Sequence, residues 1–123
     1  MSAIAGMAGT NKIKEVEAML AKMAHRGKLS RRVFSWDGAT FGINWSSLKE
    51  GHIDAMRDKQ MVADFKSSGH FAQAMLVNGR ILLARDFLGL APLYYGWTAA
   101  GELCFASEVK ALTLLTRAPM ELR

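Results

Sequence analysis

The sequence predicts an α+β fold in which mostly antiparallel strands pack against helices. Two turn dipeptides, Asp37-Gly38 and Asn78-Gly79, each separate segments rich in apolar, β-branched and aromatic residues, a pattern typical of a β-hairpin with a two-residue turn. A stretch with helical spacing of apolar residues precedes the first hairpin, and another follows the last predicted strand. This order of elements indicates helices layered on an antiparallel sheet.

The first 27 residues predict a strand followed by the clearest helix of the chain. Residues 3–7, AIAGM, read as a short apolar strand whose glycine permits close packing. The segment 10–27 is amphipathic, with Thr10 or Asn11 expected to cap its start and Gly27 expected to end it in the left-handed conformation. Its apolar stripe comprises Ile13, Val16, Met19, Leu20 and Met23.

The other strands are expected in three hairpins. These join 31–36 to 39–45, 70–77 to 80–86, and 92–98 to 102–107. The run 81–84 is apolar at every position and is therefore expected to be covered on both faces.

Two further helices are predicted from weaker patterns. Residues 58–68 allow a short helix with Met61 and Phe65 on one side. Ser107 is expected to cap a closing helix that runs to residue 115. With no linker, repeat or low-complexity tract between these elements, residues 1–123 are expected to form a single domain.

Composition indicates an ordinary globular domain and excludes several classes of protein. Hydrophobic residues make up 50% of the 123 residues and charged residues 22%. No apolar run approaches the ~18 residues of a membrane span, and no secretory signal precedes the first strand. The single cysteine, Cys104, cannot form an internal disulfide and fits a reducing compartment, so a cytoplasmic location is expected.

Charge and ligand patterns indicate no nucleic acid, metal or cofactor. Much of the net charge of +5 lies in residues 25–32, where no aromatic residues interleave with the cations; a solvated loop or an acidic protein partner explains it better. His25, His52 and His70 lack metal-ligand spacing, and His25 is expected to be a capping or loop residue. Cys104 is expected to be a buried, inert thiol, and no phosphate-binding glycine loop is present.

Residues 80–115, RILLARDFLGLAPLYYGWTAAGELCFASEVKALTLL, carry the most specific motifs of the chain: ARD, LG, PLYY and FASE. In this order they resemble the class II glutamine amidotransferase domain of asparagine synthetases, a family of N-terminal-nucleophile hydrolases. The opening MSAIAGM is similar to the family's MCGIAGI, and MLAKMAHRG and SSGHFAQAMLVNGRILLARD are similar to further family segments. The family-motif residues are His25, Arg26, Gly27, Arg85, Asp86, Gly89, Pro92, Ser107 and Glu108.

The resemblance implies a fold and a catalytic position. The fold is a layered sandwich of two antiparallel sheets between helical layers, here in a truncated form. In the family, removal of the initiator methionine exposes a cysteine whose own α-amine acts as its base. That position holds Ser2 here, whose hydroxyl is a weaker nucleophile than a thiol, and it becomes N-terminal only if Met1 is removed. Ser2 is therefore the candidate catalytic residue, in a vacated nucleophile position.

The family's glutamine-binding residues have no matches in this chain. Ser47 stands where the family has the arginine that binds the glutamine carboxylate, and the strand with the oxyanion Asn-Gly pair has no counterpart. Asn78-Gly79 reads as a hairpin turn, and Asp64 is not expected to anchor the substrate amine. Only about 20 residues separate Leu48 from Gly69, too few for the missing elements. Since loss of one oxyanion donor costs ~10²–10³ in rate, we expect no glutaminase activity.

Three hypotheses follow for the function. The first is a degenerate amidotransferase-like domain that acts as a binding or regulatory subunit, as a homodimer or with a synthetase-type, ATP-dependent, amide-forming protein. The second is an amidohydrolase that uses Ser2 after removal of Met1. The third is a small-ligand sensor that uses the vacated pocket. Arg85 and Asp86 are expected to pair with neighbouring segments as a structural corner rather than to take part in acid–base chemistry.

Overall fold

The computed structural model describes residues 2–27, 30–36, 38–45, 61–65, 70–86 and 91–123, and of Phe65 the backbone only. Among these residues, no helix has the length and apolar character that a bilayer-spanning segment requires. The elements in chain order are β1 (Ser2–Ala8), α1 (Ile13–Lys22), a 3₁₀ helix (Ala24–Arg26), β2 (Ser30–Trp36), β3 (Ala39–Trp45), β4 (Met61–Phe65), β5 (Phe71–Val77), β6 (Arg80–Arg85), β7 (Tyr94–Trp97), β8 (Leu103–Ala106), α2 (Val109–Leu112) and β9 (Met120–Glu121).

The strands form two antiparallel sheets. The larger has the order β2-β3-β1-β8-β7-β9, and the smaller has the order β4-β5-β6. β1 lies inside the larger sheet, where Ile4 pairs with Ile43 of β3 and Gly6 pairs with Phe105 of β8. Because β1 is covered on both faces, its sequence is a continuous apolar run rather than an alternating one.

Two apolar cores separate three layers. One core fills the space between the two sheets, and the other lies between the larger sheet and the helices α1 and α2. The first core is built around Ile4, Phe41, Ile43, Val62, Leu93 and Phe105. The second is built around Met7, Val16, Met19, Leu20, Met23 and Leu112. The described residues therefore form a sheet-rich, layered α+β arrangement.

Gly6 permits the tightest packing of the first core. A Cβ atom at this position would lie 2.5 Å from Phe105 Cζ and 2.8 Å from Phe41 Cδ1. The rings of Phe41 and Phe105 meet edge to face across β1, with centroids 5.5 Å apart. The predicted role of this glycine in close packing is confirmed.

The three predicted hairpins are present as β2–β3, β5–β6 and β7–β8. Asn78 and Gly79 have φ values of 51° and 76°, the positive pair that a type I′ turn requires. The turn interpretation of Asn78-Gly79 is therefore confirmed. Asp37, which belongs to the other predicted turn, lies outside the described residues.

The predicted helix at 58–68 is wrong where the structure describes it. Residues 61–65 form strand β4, in which Val62 pairs with Ala74 and Asp64 pairs with Ala72 of β5. Val62 and Asp64 both lie on the buried face, so pairing with β5 outweighs the weak helical spacing. Residues 58–60 and 66–68 lie outside the described part of the chain.

The predicted ends of the first helix are also wrong. Lys12 occupies the N-cap without a side-chain hydrogen bond, because the Thr10 hydroxyl instead binds Gly38 N and Trp36 O in the neighbouring hairpin. Asn11 likewise caps nothing: its φ is 63°, and its backbone N–H binds Ser35. On the apolar stripe, Val16, Met19, Leu20 and Met23 are buried as predicted, but Ile13 is 40% exposed.

Three more local predictions fail. Gly27 has an extended φ of −173° rather than a left-handed one. Ser107 does not cap α2, which is only four residues long, because its hydroxyl accepts a hydrogen bond from Ile4 N at 2.8 Å. The run 81–84 is not covered on both faces, since Leu82 is 51% exposed on β6, an edge strand of the smaller sheet.

Candidate functional site

Ser2 begins β1 at a buried corner between the two sheets. It pairs with Trp45 of β3, and its side chain faces Asp64 of β4. Ser2 Oγ donates a hydrogen bond to Asp64 Oδ1. The exposed fraction is 2% for Ser2 and zero for Asp64. The hydroxyl at the candidate nucleophile position is thus engaged by a carboxylate and shielded from solvent.

Arg26 closes this corner from the helix side. The 3₁₀ helix that follows α1 brings its guanidinium to both partners, with Nε donating to Ser2 O at 3.0 Å and Nη2 to Asp64 Oδ2 at 3.3 Å. Arg26 is only 7% exposed. Gly27 allows this approach: a Cβ atom there would lie 2.6 Å from backbone atoms of both Asn44 and Trp45.

Glu108 extends the network to the surface. Its Oε2 lies 3.5 Å from Arg26 Nη1 and 2.9 Å from His25 Nε2, while its Oε1 lies 3.5 Å from Lys110 Nζ. His25 and Lys110 are both about half exposed. We call Ser2, Arg26, Asp64 and Glu108 the Ser2 cluster. Charges of alternating sign thus run from the surface to a buried hydroxyl, and each buried charge has an opposite neighbour.

Ser107 fixes the strand that carries Ser2. Its hydroxyl accepts from Ile4 N, and its own backbone N–H donates to Ile4 O at 3.0 Å. These two bonds continue the pairing of β1 with β8 beyond the end of β8. Two neighbouring residues of the FASE motif therefore support this site: Ser107 binds β1, and Glu108 contacts Arg26.

The ARD motif builds a second polar corner away from Ser2. Asp86 Oδ2 lies 2.8 Å from His70 Nδ1, and its Oδ1 accepts from Phe71 N at 3.1 Å. Arg85 Nη1 lies 3.8 Å from Glu121 Oε2 of β9. These are contacts that join strands, in the manner expected for a structural corner. Of the other family-motif residues, Pro92 is half-buried and Gly89 lies outside the described residues, as do Ser47, Leu48 and His52.

Two cavities in the described part lie away from the Ser2 cluster. One, of about 750 Å³, is lined by β6 and the residues around β9, including Arg85 and Glu121. The other, of about 660 Å³, lies beside Trp97. Neither is lined by Ser2 or Arg26. The described residues contain no group of three or more His, Cys, Asp or Glu side chains placed to hold a metal ion.

Cys104 is buried in β8, as predicted. Its Sγ contacts Gly96 O at 3.5 Å. Burial, with a smaller contribution from the Glu102 carboxylate, raises the pKa of the thiol from 9.0 to about 11. A thiol of this kind is a poor nucleophile near neutral pH.

Asp64 is the site residue whose role the sequence interpretation missed, because it was considered only as an anchor for a substrate amine and was rejected in that role. It lies 62 positions from Ser2 and 38 from Arg26, in a segment whose pattern had favoured a helix. No local motif marks it. A single acidic residue within the otherwise apolar segment VADF is the sequence signal that could have drawn attention to it.

Comparison with known proteins identifies the family. Residues 49–114 match the family described as "Glutamine amidotransferase domain". This match covers more than half of the chain. Two curated proteins of Arabidopsis thaliana, asparagine synthetase [glutamine-hydrolyzing] 2 and 3, are each 53% identical to this chain over 32 residues. That match covers 26% of this chain and 6% of the length of each relative.

The chain therefore belongs to the glutamine amidotransferase domain family. The similarity to asparagine synthetases agrees with the resemblance of residues 80–115 to the amidotransferase domain of those proteins.

Proposed function

We propose that this chain is a glutamine amidotransferase domain that does not hydrolyse glutamine and acts instead as a binding or regulatory subunit. We take residues 1–123 as one domain with a shortened N-terminal-nucleophile-hydrolase-like fold. The observation that carries the proposal is the Ser2 cluster: the hydroxyl at the nucleophile position is buried and hydrogen-bonded to Asp64.

The geometry opposes acyl transfer at this position. A nucleophile must have the carbonyl carbon of its substrate about 3–3.5 Å away, in a space open to that substrate. Ser2 Oγ contacts a carboxylate oxygen instead, and the residue is 2% exposed. Arg26 is engaged as well, with Ser2 O, Asp64 and Glu108.

A binding or regulatory subunit needs a partner. We propose a synthetase-type protein or a second copy of the chain, in the cytoplasm, where a single unpaired cysteine is stable. Leu82, on an edge strand of the smaller sheet, and Val77 are exposed apolar side chains, and we propose that they belong to the association surface. Light scattering of the purified protein should give the mass of a dimer; a monomeric mass at all concentrations would contradict self-association.

The test of the main proposal is a glutaminase assay on the purified chain, with intact mass spectrometry to record whether Met1 is present. We expect glutamate release no faster than from a Ser2→Ala variant. Release that depends on Ser2 and on removal of Met1 would overturn the proposal.

The contact between Ser2 and Asp64 also favours a second candidate, an amidohydrolase. A carboxylate that accepts the Ser2 proton is a base independent of the α-amine. Incubation with a glutamine-like electrophile followed by peptide mapping distinguishes the two candidates. Covalent labelling of Ser2 that is lost in Asp64→Asn would favour the hydrolase, whereas an unlabelled Ser2 would favour the binding subunit.

A small-ligand sensor is the remaining alternative. The side chains of the Ser2 cluster bind one another, so we assign the sensor to another site, such as the cavity of about 750 Å³ lined by Arg85 and Glu121. A thermal-shift screen with amino acids and nucleotides tests this, and no shift with any compound would exclude it for the compounds screened.

A further inference from the structure

The arrangement around Asp64 is that of a bound carboxylate. One oxygen, Oδ1, accepts from Ser2 Oγ, and the other, Oδ2, accepts from Arg26 Nη2 at 3.3 Å. A hydroxyl and a guanidinium that bind the two oxygens separately constitute a two-point carboxylate receptor. All three side chains are more than nine-tenths buried.

The Arg26 guanidinium and the backbone of Ser2 have bonding partners other than Asp64. Arg26 Nε is bound to Ser2 O, and Nη1 faces Glu108, which contacts His25 and Lys110 in turn. Removing the Asp64 side chain would therefore leave the guanidinium two of its contacts. Ser2 belongs to β1, whose backbone is paired on both sides.

We propose that Arg26 and Ser2 form a binding site for a small carboxylate and that Asp64 fills it as an internal ligand. The site includes Ser2 Oγ, which lies at the position that the proposed function identifies as the vacated nucleophile position. The functional meaning of its occlusion rests on that proposed function. Asp64 is thus the residue that closes the corner to an external acid or acyl group.

The first experiment removes the internal ligand and offers an external one. Asp64→Ala is unfolded thermally in sodium formate and in sodium chloride at equal ionic strength. We expect 100 mM formate to raise the Tm of D64A by about 4 °C or more relative to chloride, because a ligand that binds only the folded state stabilises it. The wild type, whose site is filled, should show a much smaller difference.

The matched control is Val62→Ala. Val62 is fully buried on the same strand but belongs to the apolar core between the sheets. V62A should lose stability without recovering it in formate. A formate effect in D64A no larger than that in V62A would overturn the proposal. If D64A folds only with an additive, refolding in formate but not in chloride supports the proposal, and failure in both salts contradicts it.

The second experiment measures access to position 2. Ser2→Cys is combined with Asp64→Ala or Val62→Ala, and alkylation by iodoacetamide is followed by peptide mapping, with the buried Cys104 as an internal reference for unfolding. We expect the rate at position 2, relative to Cys104, to be about tenfold higher in S2C/D64A than in S2C or S2C/V62A. Rates within a factor of two would overturn the occlusion.

The two proposals fail separately. Ser2-dependent glutamine turnover by the wild type would overturn the proposed function but leave formate binding by D64A unaffected. Absence of a formate effect would overturn the carboxylate site but would not make the chain a glutaminase.

Discussion

Asp64, which is buried, and Asp86, which is partly buried, are two carboxylates of the smaller-sheet region, yet they join different parts of the molecule. Asp64 lies opposite Ala72 of β5 and reaches out of its own sheet, to Ser2 of the larger sheet and to Arg26 beyond it. Asp86 follows β6 and binds only the start of its neighbouring strand among its described contacts, at His70 and Phe71. The first connects layers and the second closes a corner within one sheet.

The aspartate that belongs to a recognisable motif is the less deeply buried of the two. Asp86 belongs to ARD, a family motif, whereas Asp64 belongs to no motif. Asp64 nevertheless has zero exposure and an ion pair with a guanidinium that is 8% exposed. The energetic consequences of removing each carboxylate should therefore differ in a measurable way.

The largest effect is expected from Asp64→Ala. Removing one partner of a buried ion pair costs about 3–5 kcal/mol of stability, because the other charge stays buried. Contacts of Arg26 with Glu108 and Ser2 O place the expectation in the lower half of that range. Urea denaturation at pH 7 measures the loss, and Asp64→Asn, which keeps an acceptor for Ser2, should lose less. A loss of stability smaller than that of Asp86→Ala would contradict the expectation that the more deeply buried carboxylate contributes more.

A smaller effect is expected from Asp86→Ala. This change leaves Phe71 N and His70 without their acceptor, at a cost of about 1–3 kcal/mol for an unsatisfied buried group. The same denaturation assay applies. His70→Ala removes one of the two contacts and should cost less than D86A; an equal or greater loss would show that the histidine, not the backbone bond, dominates this corner.

The smallest effect concerns Cys104, a buried ionisable group with no opposite charge among its described contacts. Burial, with Glu102 second, raises its pKa to about 11. Between pH 9 and 11 the unfolded chain loses this proton while the folded chain keeps it, so stability falls as pH rises. The expected loss from pH 9 to pH 10 is about 1 kcal/mol.

The control for this prediction is Cys104→Ala, since lysine and tyrosine titration affects both proteins equally. The stability difference between the wild type and C104A should shrink by that amount over the interval. A difference that stays constant with pH would contradict the raised pKa.

Local sequence patterns predicted the hairpins and the buried face of the first helix correctly, but they failed where a distant segment binds the same group. Hairpins marked by Asn78-Gly79 and the burial of Val16, Met19 and Leu20 depend on residues a few positions apart, and both are confirmed. The caps failed because Thr10 and Ser107 are bound by distant segments. The helix-capping preference of a single residue takes no account of distant groups that compete for its side chain.

The candidate site was predictable only in part for the same reason. The resemblance of the opening segment to its family identified Ser2, and the HRG motif identified Arg26. Their shared partner could not be found from sequence, because it lies on β4, whose strand character comes from pairing with β5 rather than from its own weak pattern. Tertiary pairing therefore decides both the element and the role of Asp64.

The hydrogen bond from Ile4 N to Ser107 Oγ spans 103 positions of the chain. During translation, β1 leaves the ribosome roughly 5–20 s before β8, given synthesis at about 5–20 residues per second. During that interval the edge of β1 that later pairs with β8 has no neighbouring strand, and an unpaired apolar edge of this kind promotes aggregation. We therefore expect lower growth temperatures or co-expressed chaperones to raise the yield of this protein in a recombinant host more than changes to the surface of the folded protein.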